Sequence, residues 1–219
     1  MKHRKKMRPE RTLFYDVDTQ RDFMLPGGAL YVPGAETILP TLKWMTGLAR
    51  RLGIRRICSM CRHFPGDREL LRNGGQWPDH CMDGTAGQRK VDETQAVDPY
   101  YLPIHEVGST ELEAALSHRG DLIIEKNDVN VLAGNANARP FFARLGREYD
   151  NIVIYGVTSD VCVDYAVKAF LEQGRIPHVV IDAIRAIDPG NAAAALARWS
   201  EVGVATTTCA EIEGFLDTR

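Results

Sequence analysis

The sequence carries no surplus of charge of either sign. It has 27 Lys and Arg against 29 Asp and Glu, which gives a formal net charge of −2 over 219 residues. A protein that binds nucleic acid usually has a clear basic surplus, so this balance argues against a nucleic-acid partner. The one biased stretch is MKHRKKMRPE at residues 1–10. We interpret it as a solvated basic tail ahead of a single domain spanning residues 11–219.

Long apolar runs are also missing. No segment approaches the roughly 20 apolar residues that are needed to span a bilayer. The basic start is not followed by the apolar region of a signal peptide. The cysteines number five, and an odd number without a secretory signal indicates free thiols in a reducing compartment. We therefore expect a cytoplasmic protein with no membrane partner and with at least one reactive thiol.

What is present is an alternation of β-branched apolar runs with helical patterns. Continuous apolar strands that alternate with helices are typical of a mainly parallel sheet covered on both faces. The sequence predicts a single α/β domain with three layers, α/β/α, and no internal repeat. The irregular stretch 61–109 is rich in Gly and Pro and is predicted as a long loop. The predicted strands are 12–18, 54–60, 121–126, 151–156, 177–183 and 202–208, and the predicted helices are 35–52, 111–116, 139–145, 162–172 and 190–201.

Three reactive side chains follow the ends of predicted strands. Asp18 ends the first strand, Lys126 ends the strand 121–126, and Cys162 comes shortly after 151–156. Ligands of parallel sheets gather at the carboxyl ends of the strands, so all three could face one crevice. Cys162 also begins a predicted helix, whose N-terminus favours thiolate over thiol. Each signal alone is weak, because such residues are more often capping, solvated or core side chains.

A second group of candidate residues lies in the irregular region. Cys61 and His63 form a C-x-H pair, and His80 follows in the segment WPDHC. Thiolate and imidazole ligands suit zinc or iron, and three protein ligands leave a position open for water or substrate. The alternative is that these are ordinary loop histidines and packed cysteines.

Taken together, four segments in order resemble the isochorismatase-like cysteine hydrolases, and among them the nicotinamidases. They cover most of the chain, from residue 12 to about 187. The segments are DTQRDF at 18–23 followed by GGALYVPGA at 27–35, WPDHCMDGTAG at 77–87, the strand-end Lys126, and GVTSDVCV at 156–163.

The resemblance implies an amidase mechanism. Cys162 would attack an amide carbonyl, Asp18 would serve as base and then acid, and Lys126 would orient Asp18. The backbone N–H groups of Thr158 and Cys162 would form the oxyanion hole, with a cis peptide bond at Val157–Thr158. The implied reaction is hydrolysis of a small carboxamide, with nicotinamide the first substrate to consider, and superfamily members often form homo-oligomers.

The resemblance also implies how the substrate is held. Phe23 and Trp77 match the positions that sandwich the pyridine ring, although core packing is an alternative for either. His63 and His80 match two ligands of a metal that binds the ring nitrogen. The sequence departs from the family where Cys61 replaces the usual Asp ligand, and where NDVNVLAGN at 127–135 replaces a Gly- and aromatic-containing segment. Both departures concern the metal and the substrate rather than the reaction type.

Other functions are compatible with parts of the sequence. The substrate could be another small amide or ureido compound. Isochorismate itself is disfavoured, because its hydrolases do not use this cysteine chemistry. Two alternatives belong to other functional classes. The first is a non-catalytic metal- or ligand-binding protein, but such a protein would have no need for a base beside an activated thiol. A thiol redox protein would use the spacing Cys58-x-x-Cys61.

Overall fold

The computed structural model describes residues 6–216, which form one twisted parallel sheet with helices on both faces. The sheet has seven strands in the order β3-β4-β2-β1-β5-β6-β7, and each neighbouring pair is parallel. The three-layer α/β prediction is confirmed. The strands are β1 (Thr12–Val17), β2 (Arg55–Cys61), β3 (Tyr100–Leu102), β4 (Leu122–Lys126), β5 (Asn151–Val157), β6 (His178–Arg185) and β7 (Ala205–Thr207).

The helices divide between the two faces. Helices α3 to α7 pack on the face that includes Leu13, Tyr15 and Val17 of β1, while α1, α2 and α8 pack on the other. No described helix is long and apolar enough to cross a membrane. The helices are α1 (Arg21–Met24), α2 (Leu39–Leu52), α3 (Ser109–Ser117), α4 (Val131–Gly134), α5 (Ala138–Glu148), α6 (Cys162–Leu171), α7 (Pro189–Glu201) and α8 (Cys209–Phe215).

Local sequence explains where several helices begin and end. In α2 the apolar residues Leu42, Met45 and Leu48 recur at helical spacing and are buried, and Gly53 ends the helix with a left-handed φ of 64°. A capping box of Thr208 and Glu211 starts α8. That T-x-x-E pattern is visible in the sequence and would have predicted this helix.

The structure corrects the long loop that was predicted over 61–109. Residues Tyr100–Leu102 form β3, an edge strand that pairs with β4. Two aromatic residues favour the strand, but it is only three residues long and prolines flank it at 99 and 103, so no alternating pattern could show it.

The basic N-terminal segment is only partly as predicted. Residues 1–5 lie outside the described residues. Met7, however, is 4% exposed, pairs with Leu216 in an isolated bridge, and donates its backbone N–H to the carbonyl of Phe215 at 2.7 Å. The end of the predicted tail is therefore packed rather than solvated.

The topology positions the candidate residues. β1 is the central strand, and the chain leaves it on one side toward β2 and later returns on the other side as β5. A ligand crevice forms where the strand order reverses in this way. Residues that follow β1, β2, β4 and β5 are brought to the same edge of the sheet.

Candidate active site

Asp18 follows β1 directly and is fully buried. It has a left-handed φ of 49°, and its Oδ1 accepts a hydrogen bond from Ser59 Oγ at 2.6 Å. Its Oδ2 lies 3.0 Å from Lys126 Nζ. A carboxylate held by a hydroxyl and an ammonium in this way is fixed in orientation while one edge stays available to a reacting group.

Lys126 is the last residue of β4 and is 1% exposed. Its ammonium lies between the acid and two thiols, 3.1 Å from Cys61 Sγ and 3.7 Å from Cys162 Sγ. Burial, the largest single influence, would lower the pKa of Lys126, but Asp18, the two thiols and Glu69 together outweigh burial and raise it well above its usual value. Lys126 therefore stays charged beside Asp18.

Cys162 is the first residue of α6 and is 9% exposed. The sequence argument that the helix N-terminus favours a thiolate needs correction. Burial raises the pKa of the Cys162 thiol well above its ordinary value, and Lys126 lowers it less than burial and Asp18 raise it. The raised pKa favours a neutral thiol at Cys162, so a reaction at its sulfur would need a base, and Asp18 is an acidic side chain within reach of it.

The turn between β5 and α6 has the expected backbone geometry. The Val157–Thr158 peptide bond is cis, as predicted. The carbonyl of Thr158 accepts the N–H groups of Val161 and Val163 at 3.2 and 2.9 Å, which fixes the turn just ahead of Cys162. Thr158 also lines the same pocket as Cys162.

A narrow pocket with mostly apolar walls is lined in part by Cys162. Phe23 is 3% exposed, and its ring centroid lies 5.3 Å from that of His80. Phe23 and Trp77, both predicted to contact substrate, line this pocket together, so the structure brings them to the reactive cysteine. The other lining residues are Leu30, Cys61, Glu69, Val129, Val161 and Ile187.

Wider clefts exist elsewhere on the molecule. One of about 700 Å³ lies at the amino ends of β2 and β4, and one of about 730 Å³ lies beside β3. Neither is lined by Cys162, whereas the narrow pocket is, and Lys126 lies 3.7 Å from that thiol and 3.0 Å from Asp18. Because chemistry needs a nucleophile and a base in reach of one another, the narrow pocket is the candidate active site.

The three predicted metal ligands lie together beside this pocket. One donor atom each from Cys61, His63 and His80 falls within 4.8 Å of the other two, and all three residues are buried. His63 Nδ1 lies 3.2 Å from Asp67 Oδ2, and His80 Nδ1 lies 2.8 Å from the carbonyl of Pro78. Such outer contacts orient a ligating imidazole and leave Nε2 for the metal.

Both imidazoles are held in the neutral form that a metal requires. Burial, then the neighbouring His80 and Lys126, lower the pKa of His63 to about 4. Burial is also the main cause of the lowered pKa of His80. His63 Nε2 is buried without a hydrogen-bond partner among the described residues. A divalent cation would satisfy it, so the residues present fit zinc or iron.

Glu69 is a fourth candidate ligand that sequence reasoning missed. Its Oε1 lies 3.7 Å from Nε2 of both His63 and His80, and its Oε2 is buried with no partner in the described chain. Burial raises the pKa of Glu69 to about 7. The backbone N–H of Trp77 donates to the carbonyl of Glu69 and closes a loop, which turns the Glu69 carboxylate inward. No spacing pattern in the sequence indicates this position.

Asp22 explains why glycines recur in the motifs. Its Oδ2 accepts the backbone N–H of Cys81 at 2.6 Å, and its Oδ1 accepts that of Ala29 at 3.1 Å. A Cβ at Gly87 would overlap the Asp22 carboxylate, and a Cβ at Gly28 would overlap the Asp22 carbonyl. The two glycines let both loops approach one acid, which joins the segments that carry Phe23 and Trp77.

The pair Cys58-x-x-Cys61 does not have the geometry of a redox pair. Both residues lie in β2, three positions apart, so they face opposite sides about 10 Å apart. A disulfide needs Cα atoms within about 7 Å. Cys58 Sγ points to Asp16 at 3.8 Å, whereas Cys61 Sγ lies 3.9 Å from Asp18. The structure therefore contradicts the redox alternative.

Comparisons with known proteins agree with this geometry. A model of the isochorismatase domain family matches residues 13–211, so the chain belongs to that family. It is 24% identical over 234 residues to the nicotinamidase of Escherichia coli (strain K12), covering 94% of this chain and 98% of that protein. It is 26% identical over 184 residues to the nicotinamidase of Acinetobacter baylyi, covering 78% of this chain and 80% of that protein.

Solved structures show the same fold. The pyrazinamidase of Pyrococcus horikoshii in complex with zinc has a TM-score of 0.70 at 23% identity, covering 90% of this chain and 99% of that one. PnC1 from L. infantum in complex with nicotinate has a TM-score of 0.73 at 18% identity, covering 94% and 96%.

Proposed function

We propose that the protein is a cysteine-dependent amidase that hydrolyses a small carboxamide, with nicotinamide its first candidate substrate. The observation that carries this proposal is the meeting of a nucleophile, a base and a cation. Lys126 Nζ lies 3.0 Å from Asp18 Oδ2 and 3.7 Å from Sγ of Cys162, which lines the narrow pocket. Homology to two nicotinamidases supports the same reaction.

The first half of the reaction forms a thioester. Asp18 accepts the thiol proton of Cys162 as Sγ bonds to the carbonyl carbon of the amide. The developing oxyanion accepts hydrogen bonds from the backbone N–H groups of Thr158 and Cys162. Asp18 then gives its proton to the amide nitrogen, the C–N bond breaks, and ammonia leaves.

The second half returns the enzyme to its resting state. Asp18 accepts a proton from a water molecule, whose oxygen bonds to the thioester carbonyl carbon. Collapse of this intermediate breaks the C–S bond, the thiolate regains its proton, and the carboxylic acid leaves. Lys126 orients Asp18 through its 3.0 Å contact with Oδ2 and stabilises the thiolate while it carries charge.

The pocket favours a flat, uncharged substrate. Its lining offers aromatic and aliphatic side chains, Phe23 and Trp77 among them, and within residues 6–216 it includes no Lys or Arg that would pair with a substrate carboxylate. Val129 forms part of the wall in the segment where the family usually has an aromatic residue. Because this wall differs from that of the family, a small amide of another shape is a second candidate substrate.

A divalent metal belongs to this proposal. Cys61, His63, His80 and Glu69 would hold zinc or iron. The metal would bind the ring nitrogen of nicotinamide and so orient the carboxamide. The same residues would suit a non-catalytic metal-binding protein, but such a protein has no use for Asp18 beside the thiol of Cys162.

Ammonia release tests the proposal. Wild type, Cys162→Ala and the matched control Cys209→Ala are assayed with nicotinamide and with a panel of small amides, with zinc supplied. Cys209 is also a buried thiol, but it begins α8 and is not a pocket residue. We expect release by wild type and by the control, and none by Cys162→Ala.

The other outcomes are equally informative. Release from a different amide that depends on Cys162 would keep the mechanism and replace the substrate. If wild type releases no ammonia from any amide of the panel, the amidase proposal is refuted and a metal- or ligand-binding function is favoured. Activity that survives in Cys162→Ala would refute the nucleophile.

A further inference from the structure

A buried lysine lies just behind the catalytic turn, outside the set of residues described above. Lys90 is 4% exposed. Its Nζ lies 3.1 Å from Asp16 Oδ2 and donates to Thr19 Oγ1 at 2.7 Å. Thr19 Oγ1 in turn donates to Asp16 Oδ1 at 2.8 Å. A buried ammonium is tolerated only where partners compensate its lost hydration, so these contacts fix where Lys90 can lie.

These contacts coincide with a backbone seam between two loops. Gln20 and Lys90 form an isolated antiparallel bridge, and residues 87–91 are hydrogen-bonded to residues 19–22 on either side of it. The bonds are Val91 N to Thr19 O at 3.0 Å, Arg21 N to Arg89 O at 2.8 Å, and Asp22 N to Gly87 O at 3.0 Å.

The seam joins the two halves of the candidate active site. The first loop begins with Asp18, the proposed base. The second runs from residue 77 to residue 91 and carries Trp77, which lines the narrow pocket, and His80, which belongs to the cluster of candidate metal ligands. Lys90 does not line the pocket, so any influence on the reaction passes through this seam.

We propose that Lys90 is a positioning residue whose ion pair with Asp16 clamps the loop carrying Trp77 and His80 onto the catalytic turn. This rests on the proposed amidase function for its kinetic readout. Asp18, Lys126 and Cys162 are placed by strand ends, whereas Trp77 and His80 depend on a long loop. Loosening the clamp therefore weakens binding of substrate and metal more than it slows the chemical step.

The variant Lys90→Met can be expected to fold. Asp16 keeps a second cation, because Arg56 Nη1 lies 3.3 Å from Asp16 Oδ2. Methionine also retains the length and apolar character of the lysine stem. The control is Arg55→Met, which removes a half-buried cation at the amino end of β2, where Arg55 donates to the carbonyl of Gly120.

The experiment compares wild type, Lys90→Met and Arg55→Met in three measurements. These are kcat and KM for nicotinamide, zinc affinity by competition with a chelating dye, and hydrogen exchange of peptides covering residues 77–91. For Lys90→Met we expect KM and the zinc dissociation constant to rise about tenfold, as for outer partners of metal ligands, with kcat little changed. Exchange should accelerate in 77–91 in this variant alone.

A purely structural role gives a different result. If Lys90→Met only loses stability, as Arg55→Met should, with KM, zinc affinity and local exchange unchanged, the clamp is refuted. Should Lys90→Met fail to fold, Lys90→Gln removes the charge that pairs with Asp16 while keeping a polar side chain, and wild-type values in that variant refute the clamp equally. If nicotinamide is not a substrate, the proposed function fails, while zinc affinity and hydrogen exchange still decide on the clamp.

Discussion

Two clusters built from the same residue types meet at the carboxyl end of β1. One contains Asp18 with Lys126 at 3.0 Å, Cys61 at 3.9 Å and the hydroxyl of Ser59. The other contains Asp16 with Lys90 at 3.1 Å, Cys58 at 3.8 Å and the hydroxyl of Thr19. Each is a buried acid, lysine, thiol and hydroxyl.

Their difference lies in what surrounds them. Arg56, itself 2% exposed, closes the Asp16 cluster by bonding both Asp16 and Asp121. In the Asp18 cluster, by contrast, Cys61 lines the narrow pocket together with Cys162. Residue types alone therefore do not distinguish the proposed catalytic cluster from a structural one, and the difference between them is the adjoining pocket.

The backbone separates the two clusters. In a regular strand Asp16 and Asp18 would lie on the same face, because side chains alternate. The left-handed φ of 49° at Asp18 interrupts this alternation. Asp18 contacts Ser59 and Cys61, which share one face of β2, while Asp16 contacts Cys58 on the other.

The largest expected difference is between the two acids. Asp18→Asn removes the proposed base and should lower kcat by about 10²–10⁴-fold, the usual worth of a general base. Asp16→Asn removes the buried negative charge that pairs with Lys90 and Arg56. It should lower the free energy of unfolding by about 3–5 kcal/mol and leave kcat unchanged. Ammonia release and urea unfolding measure the two effects. Equal losses of kcat in the two folded variants would contradict the division of roles.

The two thiols should differ in metal binding. Loaded with Co²⁺, wild type should show a near-ultraviolet thiolate-to-metal band, because Cys61 lies with His63 and His80 in the donor cluster. Cys61→Asp should lose the band, and Cys58→Ser, on the other face of β2, should keep it. Absorption titration with Co²⁺, followed by removal with a chelator, measures this. A band that persists in Cys61→Asp would exclude Cys61 as a ligand.

The smallest effect concerns stability in alkali. Burial raises the pKa of Cys58 from 9.0 to about 11, so the unfolded thiol loses its proton first as pH rises. The raised folded pKa means that this stabilisation is present below pH 9 and is lost between pH 9 and about 11. The slope is at most about 1.4 kcal/mol per pH unit for one thiol. Urea unfolding at pH 8, 9 and 10 should show a shallower decline in Cys58→Ala, and an identical decline would contradict the assignment.

The sequence was sufficient for those parts of the molecule that depend on local pattern. Apolar runs located six of the seven strands of the described sheet. Asp18, Lys126 and Cys162, chosen because they lie at or after strand ends, do meet in the folded chain, and their catalytic roles stay predictions. Cys61, His63 and His80 do cluster, although metal occupancy stays a prediction, as do oligomeric state and cellular location.

What the sequence could not supply depends on long-range packing. Glu69 reaches the metal cluster only because a loop folds inward, and Lys90 reads as an exposed loop lysine until its burial is known. The prediction that the helix N-terminus favours a thiolate at Cys162 was wrong for the same reason. A helix N-terminus is visible in the sequence, whereas the burial that raises the pKa of this thiol is a property of the folded chain.

The close approach of Gly28 and Gly87 to Asp22 bears on how substitution maps of this protein should be interpreted. A saturation-mutagenesis scan scored by growth or activity would mark both glycines as intolerant, because any side chain there collides with Asp22. They would rank beside Cys162 although neither lines the pocket. Scoring the same library for protein abundance would separate them, since the glycine variants would be depleted in that screen and Cys162→Ala would not.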